Sequence, residues 1–214
     1  MNEFQHLGNK YGTDKSSHHG YHYFYPKHLE ALRKDKFNML EIGYSDGNSC
    51  RMWEEYFPNA NIYAMDINIE GQFNNHIVFK GDQSNFDDLK RVNDSIVSAR
   101  FIIDDASHHP MHQIETFNIL FKSLLEPGGI YIIEDIECNY WNSESQLYGY
   151  RVGFFSSVEH TKKLVDYVNS EFSGKENKLE ISSITYGQNC IIITKQTEEE
   201  KNYFNRGYRF TSLT

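Results

Sequence analysis

Phe37-Asn-Met-Leu-Glu41-Ile-Gly43-Tyr-Ser45-Asp-Gly47 is the stretch on which the reading of this 214-residue chain turns. A β-type run over 37–42 breaks at Gly43, and a helical segment over 48–57 follows until Pro58 stops it. Small residues at such a strand-to-helix turn let the backbone pass close to a ligand, at the edge where open α/β sheets bind cofactors. The spacing is not Gly-x-Gly-x-x-Gly, because Ser45 stands in the second glycine's place and Asn48 in the third's. That argues against a pyrophosphate-bearing dinucleotide, and so against a nicotinamide-dependent oxidoreductase. Asp66 ends the next strand, where a carboxylate accepts hydrogen bonds from both hydroxyls of a ribose. Gly81-Asp82-Gln83 follows the third strand and is positioned to flank an adenine. Each acid alone is equally a turn residue or a helix cap. Together they favour a nucleoside without a pyrophosphate.

Outward from this loop, β-type and helical runs alternate, which predicts a parallel sheet flanked by helices, an α/β fold. Strands are expected at 61–66, 76–80, 101–104 and 130–133, with helices at 86–98, 111–125 and 157–172. Pro127-Gly-Gly129 reads as the turn into the fifth strand. Two closing strands, 178–185 and 190–195, joined by the turn Tyr186-Gly-Gln188, point to an antiparallel edge. The aromatic stretch Cys138-Asn-Tyr140-Trp141-Asn-Ser-Glu-Ser, with Tyr148 after it, has no period and reads as a loop over the carboxyl edge of the sheet. Glu198-Glu-Glu-Lys201 reads as a solvated charge run.

The fourth and fifth strands end in acids, Asp104-Asp105-Ala-Ser-His108-His109 and Glu134-Asp135-Ile-Glu137. Carboxylates gathered at one sheet edge repel unless protons or a cation intervene, and a cation is the simpler answer. Oxygen ligands suit magnesium, manganese or calcium rather than zinc. Because strand side chains alternate between faces, Glu134 and Asp135 can share one ion only where the strand has already ended. Asp105, Glu134 and Asp135 are therefore the expected metal ligands, with Asp104 on the cofactor side or in the scaffold. His108, three residues beyond Asp105, is the expected general base, since imidazole titrates near neutral pH. His109 and His112 nearby show that an imidazole in such a loop can equally be structural.

Glu41-x-Gly43-x-Ser45-x-Gly47, together with Asp66, resembles the class I S-adenosylmethionine-dependent methyltransferase pattern, an acid-x-Gly-x-Gly-x-Gly loop after the first strand with an acid closing the second. The resemblance implies a Rossmann-like, mostly parallel seven-stranded sheet with an antiparallel edge strand. It also implies that Glu41, Gly43, Ser45 and Gly47 surround the methionine part of S-adenosylmethionine, that Asp66 binds its ribose, and that Asp82 and Gln83 lie by its adenine. Ile-Asp-Asp105-Ala-Ser-His108, followed by Pro-Gly-Gly129-Ile-Tyr-Ile-Ile-Glu-Asp135, is similar to the metal-dependent sugar O-methyltransferases of macrolide biosynthesis. This likeness implies magnesium or manganese gripping neighbouring sugar hydroxyls while His108 removes a proton. Leu7-Gly-Asn-Lys-Tyr11-Gly-Thr13-Asp-Lys15 resembles a segment that precedes this domain in capsule-sugar and antibiotic-sugar enzymes, which implies contacts from Tyr11, Thr13 and Lys15 to cofactor or substrate. The expected organisation is a capping segment over 1–36, a methyltransferase domain over 37–195 and a tail over 196–214.

About 36 residues precede the first strand, too few for a separate domain, so a nucleotide-linked hexose or heptose is expected as acceptor rather than a macrolide. A phenolic diol or an amine stays open as an acceptor, as does a cofactor-binding protein without transferase activity. A formal net charge of -9 leaves no basic surface for a nucleic-acid backbone. The three cysteines, Cys50, Cys138 and Cys190, are too scattered for a disulfide framework or a zinc site. Neither a signal peptide nor a membrane span is apparent, so a cytoplasmic enzyme is expected. The aromatic tail from Asn202 to Phe210 could pack on another subunit in a homo-oligomer.

Overall fold

The alternation of strands and helices folds, in a computed structural model that describes residues 1–204, around one central sheet. Its strands in chain order are β1 (Asn38–Ile42), β2 (Asn61–Asp66), β3 (Gly71–Phe73), β4 (His76–Lys80), β5 (Ala99–Asp104) and β6 (Leu125–Glu134), then the small hairpin β7 (Gln146–Leu147) and β8 (Tyr150–Arg151), and β9 (Ile181–Gly187) and β10 (Cys190–Lys195). The helices are α1 (Glu3–Tyr11), α2 (Asp14–Ser17), α3 (Pro26–Leu29), α4 (Asn48–Tyr56), α5 (Phe86–Ser95), α6 (Pro110–Ser123), α7 (Ser157–Lys163), α8 (Val165–Val168), α9 (Ser170–Ser173) and α10 (Glu198–Phe204). The sheet order is β3-β4-β2-β1-β5-β6-β10-β9. From β4 to β6 all pairs are parallel, whereas β10 runs against both β6 and β9. This is the mostly parallel Rossmann-like sheet with an antiparallel edge. The eighth strand is β3, three residues long and too short to carry a period.

Strands buried on both faces read as continuous apolar runs, and their alternation sorts them between two cores. Met39, Ile62, Ala64, Phe101, Ile103, Ile130 and Ile132 face one side, with α1, α4 and the segment from Tyr21 to Leu32 packed on them. Leu40, Ile42, Ile102, Tyr131, Ile133 and Ile191 face the other, under α5, α6 and α7. Residues 1–36 therefore contribute to the core itself. Phe4 packs edge-on against Tyr25, Trp53 and Tyr56, and full burial of each such ring is worth about 1.5–3 kcal/mol.

Some local expectations change. Residues 157–172 form three short helices, and at the second break Asn169 Nδ2 donates to Val165 O, a side-chain bond that competes with the helical ladder. Pro127-Gly-Gly129 lies inside β6 as an irregularity, and the β5–β6 register shifts between Ala99 and Phe101. Glu198-Glu-Glu-Lys201 starts α10. Thr197 Oγ1 accepts from Glu200 N while Glu200 Oε2 accepts from Thr197 N, a capping box. Of the aromatic tail, residues 205–210 lie outside the described residues. No helix among the described residues is long and apolar enough to cross a membrane.

At the carboxyl end of α6, buried Lys195 Nζ donates to the carbonyls of Phe121, Lys122 and Leu125 at 3.0, 3.3 and 2.8 Å. A cation there satisfies carbonyls that the helix leaves free. Lys195→Ala is expected to lower unfolding stability by about 2–4 kcal/mol, the cost of stranding buried acceptors of a charged donor. Urea denaturation checks this, and a loss under about 1 kcal/mol would mean that water replaces the ammonium.

Candidate active site

Ile42, Asp104 and Ile133 are register partners on adjacent strands, so the residues after them, Gly43, Asp105 and Glu134, stand side by side at the carboxyl edge. Alternation turns Asp104 with Ile42 and Ile133 toward the α6 side, and turns Glu41, Asp105 and Glu134 toward the N-terminal segment. Asp104 is fully buried, accepts from Gln83 Nε2 at 2.6 Å, and is pushed up to about 7 by burial. Gln83 Oε1 in turn accepts from Ser107 N and Oγ at 3.1 and 2.8 Å. Asp104 and Gln83 thus brace the loop after β5 from behind.

The β1–α4 loop is shaped by close approach. Gly43 has φ +101, and a Cβ there would lie 2.1 Å from the carbonyl oxygen of Asp105. Ser45 has φ +51, a left-handed conformation that costs a non-glycine residue roughly 1–2 kcal/mol. Asp66 holds it there, one carboxylate oxygen accepting from Tyr44 N and Ser45 N at 3.2 and 3.1 Å. Its other oxygen accepts from Asn68 N and Ile69 N. Asp82 accepts from Ser84 N and Oγ at 2.8 and 2.7 Å after β4. A Cβ on Gly47 would meet the Tyr44 ring at 2.5 Å. A cavity of about 320 Å³ opens above the loop, with Thr13, Gly43, Ser45, Asp105, His108 and Asp135 among its walls.

Besides Asp104 and Gln83, the expected cofactor contacts Glu41, Tyr11 and Lys15 stand away from this cavity. Glu41 is fully buried and accepts from Ser49 Oγ at 2.8 Å and Cys50 Sγ at 3.3 Å, beneath α4. Tyr11 donates its hydroxyl to Glu55 at 2.6 Å on the outer side of α4. Thr13 stays at the cavity, where its hydroxyl caps α2 by accepting from Lys15 N.

The acids are held by the N-terminal segment. Lys15, buried on α2, donates to Asp105 and, at 2.5 Å, to Glu134, with Glu41 at 3.5 Å. Burial alone would lower the pKa of its ammonium, but Asp105, Glu134 and Glu41 outweigh that and raise it. Tyr25 donates to the other oxygen of Glu134 at 2.6 Å, and Tyr21 to Asp135 at 2.5 Å. Burial pushes both phenols up, so they remain donors. Asn189, in the β9–β10 turn, donates to Asp135 at 3.0 Å. Asp135 has φ +51 and ψ +57 immediately after β6 ends, the break that strand alternation demands if it is to join Asp105. Burial raises the pKa of Asp135, and that of Glu134 further.

His108, also left-handed at φ +54, puts Nε2 3.7 Å from Asp135 Oδ2, while its Nδ1 is buried without a hydrogen-bond partner. The other two histidines point away. His109 Nε2 lies 2.6 Å from Arg151 O and His112 Nδ1 2.9 Å from Ser107 Oγ, and burial depresses His112 to about 4. One ligand atom each from Asp105, His108 and Asp135 lies within 4.8 Å of the others. The two carboxylates fit a divalent cation of the magnesium or manganese class, with the imidazole beside them on the cavity side. Glu134 stands beside that trio with both oxygens engaged by Lys15 and Tyr25. His19 puts Nδ1 3.3 Å from Asp135 Oδ1, so His19 and Tyr21 of the N-terminal segment both reach that acid. Tyr25 and Asn189 carry no sequence signal beyond the four-residue spacing of Tyr21 and Tyr25, which sets both tyrosines on one helical face.

The fold superposes on the MycE methyltransferase of the mycinamycin biosynthetic pathway, solved in complex with Mg and SAH. The TM-score is 0.80 at 26% identity, covering 93% of this chain and 56% of the other. The chain belongs to the class I methyltransferase fold. No family model matches the sequence. Among curated relatives, the 8-demethyl-8-alpha-L-rhamnosyl tetracenomycin-C 2'-O-methyltransferase of Streptomyces olivaceus is 34% identical over 170 residues, 75% of this chain and 44% of the relative. The L-olivosyl-oleandolide 3-O-methyltransferase of Streptomyces antibioticus is 32% identical over 180 residues, 77% of this chain and 45% of the relative. The chain thus spans less than half the length of the curated relatives it matches.

Proposed function

We propose that this chain is an S-adenosylmethionine-dependent, divalent-metal-dependent O-methyltransferase acting on a sugar hydroxyl. The observation that carries this reading is the convergence of Asp105, His108 and Asp135 on the wall of the cavity above the Gly43–Gly47 loop. Asp105 and Asp135 are the residues that would hold the cation, with Glu134 behind them and His108 on the side of the acceptor. S-adenosylmethionine supplies a methyl group already activated on a positive sulfur, and a divalent cation lowers the pKa of a hydroxyl bound to it. The protein's own work is alignment and proton removal. His108 Nε2 faces the acids and is the group placed to take a proton from a hydroxyl oriented there, with Asp135 beside it to stabilise the imidazolium that results. The Gly43–Gly47 backbone admits the methionine end of the cofactor; Asp66, whose two oxygens already accept four backbone N–H bonds, holds that loop in shape, and Asp82 is the carboxylate we assign to the nucleoside.

The acceptor we favour is a sugar on an apolar carrier, ahead of a nucleotide-linked hexose or heptose of capsule biosynthesis. Tyr148 lies on the cavity wall with its ring 6.2 Å from that of His108, and exposed Tyr140 and Trp141 belong to the same segment. The segment from Cys138 to Arg151 holds one cation, Arg151, which pairs on the surface with Glu144 at 3.1 Å. The test is methyl transfer to both acceptor classes with magnesium and with excess chelator. Glycosides are expected to be methylated and chelator to abolish transfer. Undiminished turnover under complete chelation would sink the metal-dependent reading. Turnover of nucleotide sugars alone would reverse the order of acceptors.

A further inference from the structure

We infer that Lys15 is a resident cation of the acid cluster, one that holds Asp105 and Glu134 in position before any metal binds and weakens the affinity for the divalent ion. The inference rests on the metal reading above and concerns how that centre is set. Three carboxylates, Glu41, Asp105 and Glu134, face one ammonium that is wholly buried. Buried carboxylates without a cation would have to take up protons or come apart. Lys15 supplies that cation covalently. Its helix α2 is fixed by the Thr13 cap and by α1, where a Cβ on Gly8 would fall 2.0 Å from Ser16 Oγ, so the ammonium is not on a freely swinging arm. An ion drawn to Asp105 therefore meets a carboxylate already shared with a positive charge. Like charges close together in a buried site oppose one another, so the ammonium lowers the ion's affinity while keeping its ligands ordered.

Lys15→Met keeps an unbranched chain in the buried channel and removes the charge. Mn2+ titration calorimetry and thermal unfolding, each with Mn2+ or with EDTA, read the effect without recourse to turnover. Lys15→Met is expected to bind Mn2+ at least tenfold more tightly than the parent. Its melting temperature in EDTA should fall well below the parent's, and Mn2+ should restore most of the difference. Lys15→Arg, which keeps the charge, should stay within about threefold of the parent's affinity. The double variant Lys15→Met/Glu41→Gln removes one buried charge of each sign, so that the metal-free protein stays folded. It should bind Mn2+ more tightly than the parent but less tightly than Lys15→Met. Parental or weaker Mn2+ affinity in Lys15→Met, or in the double variant should the single one not fold, overturns the role given to Lys15. If neither parent nor variants bind Mn2+, the metal reading falls as well.

Discussion

Asp105→Ala is expected to abolish metal-dependent methyl transfer, with turnover down by at least about 10³-fold, while the fold survives. Asp105 is the acid through which the proposed centre is joined to everything around it. It stands between Gly43 and Glu134 at the carboxyl edge, lines the cavity, and contributes an oxygen to the trio with His108 and Asp135. Its loss leaves Lys15 paired with Glu134 at 2.5 Å and Glu41 at 3.5 Å, so the ammonium is not stranded and stability should drop by only about 1–2 kcal/mol. His108→Ala makes the informative comparison. Removing a general base lowers kcat by about 10²–10⁴-fold, but His108 Nδ1 bonds to nothing and Nε2 only approaches Asp135, so stability should barely move. Mn2+ titration separates the two variants: Asp105→Ala should lose the ion, and His108→Ala should lose at most a small part of its affinity. Turnover within tenfold of the parent in either variant would remove that residue from the mechanism.

The parts of this molecule visible in its sequence are those set by local pattern. β2, β4 and β10 begin and end where their β-type runs do, β10 because it is covered on both faces and β4 because buried His76 and Val78 alternate with exposed Ile77 and half-buried Phe79. The acids at the ends of β5 and β6 were equally visible. What the pattern could not supply was the partner of each acid. Lys15 and Glu134 are 119 residues apart in the chain, Tyr21 and Asp135 114, and no periodicity links them. A need for positive charge among clustered carboxylates was legible and was assigned to a metal alone. In the structure part of it is met by a lysine of the N-terminal segment. Glu41 shows the complementary lapse, since strand alternation already sets it on the same face as Met39, away from Ile42 and toward that segment. The glycine-motif analogy drew it toward the cofactor instead. The left-handed backbone at Ser45, His108 and Asp135 was not legible, because aspartate and histidine, though they adopt it more readily than most side chains, do so only occasionally, and serine carries no such preference. Three strained residues around one cavity are a mark of a site that the surrounding structure over-determines.

Gly43→Ala tests that over-determination from the cofactor side, and its expected effect is as large as that of any single methyl group in this chain. The added Cβ would lie 2.1 Å from Asp105 O and 3.0 Å from Ala106 Cα, both backbone atoms rather than movable side-chain tips. Neither partner has room to yield. Gly43 N donates to Met65 O and Asp105 N donates to Ile42 O, each at 2.8 Å, so separating the loops breaks the last rungs of β1 with its neighbours. The φ of +101 adds a conformation that alanine avoids. Overpacking a rigid site together with backbone strain costs about 3–5 kcal/mol. Protein that still folds should lose cofactor affinity by at least about tenfold, because the displaced turn is the floor of the cavity. It should also bind Mn2+ more weakly, since Asp105 moves with the same contact. Gly47→Ala offers a graded control. There the clash, at 2.5 Å, is with the end of the Tyr44 ring, a side chain rather than backbone, stacked on exposed Phe73 and held by a 3.0 Å hydrogen bond between its hydroxyl and His76. Its loss of stability should be smaller than that of Gly43→Ala, and its Mn2+ affinity should match the parent's. Equal effects of the two substitutions on Mn2+ binding would show that the cofactor loop and the acid cluster are not coupled through the contact between Gly43 and Asp105.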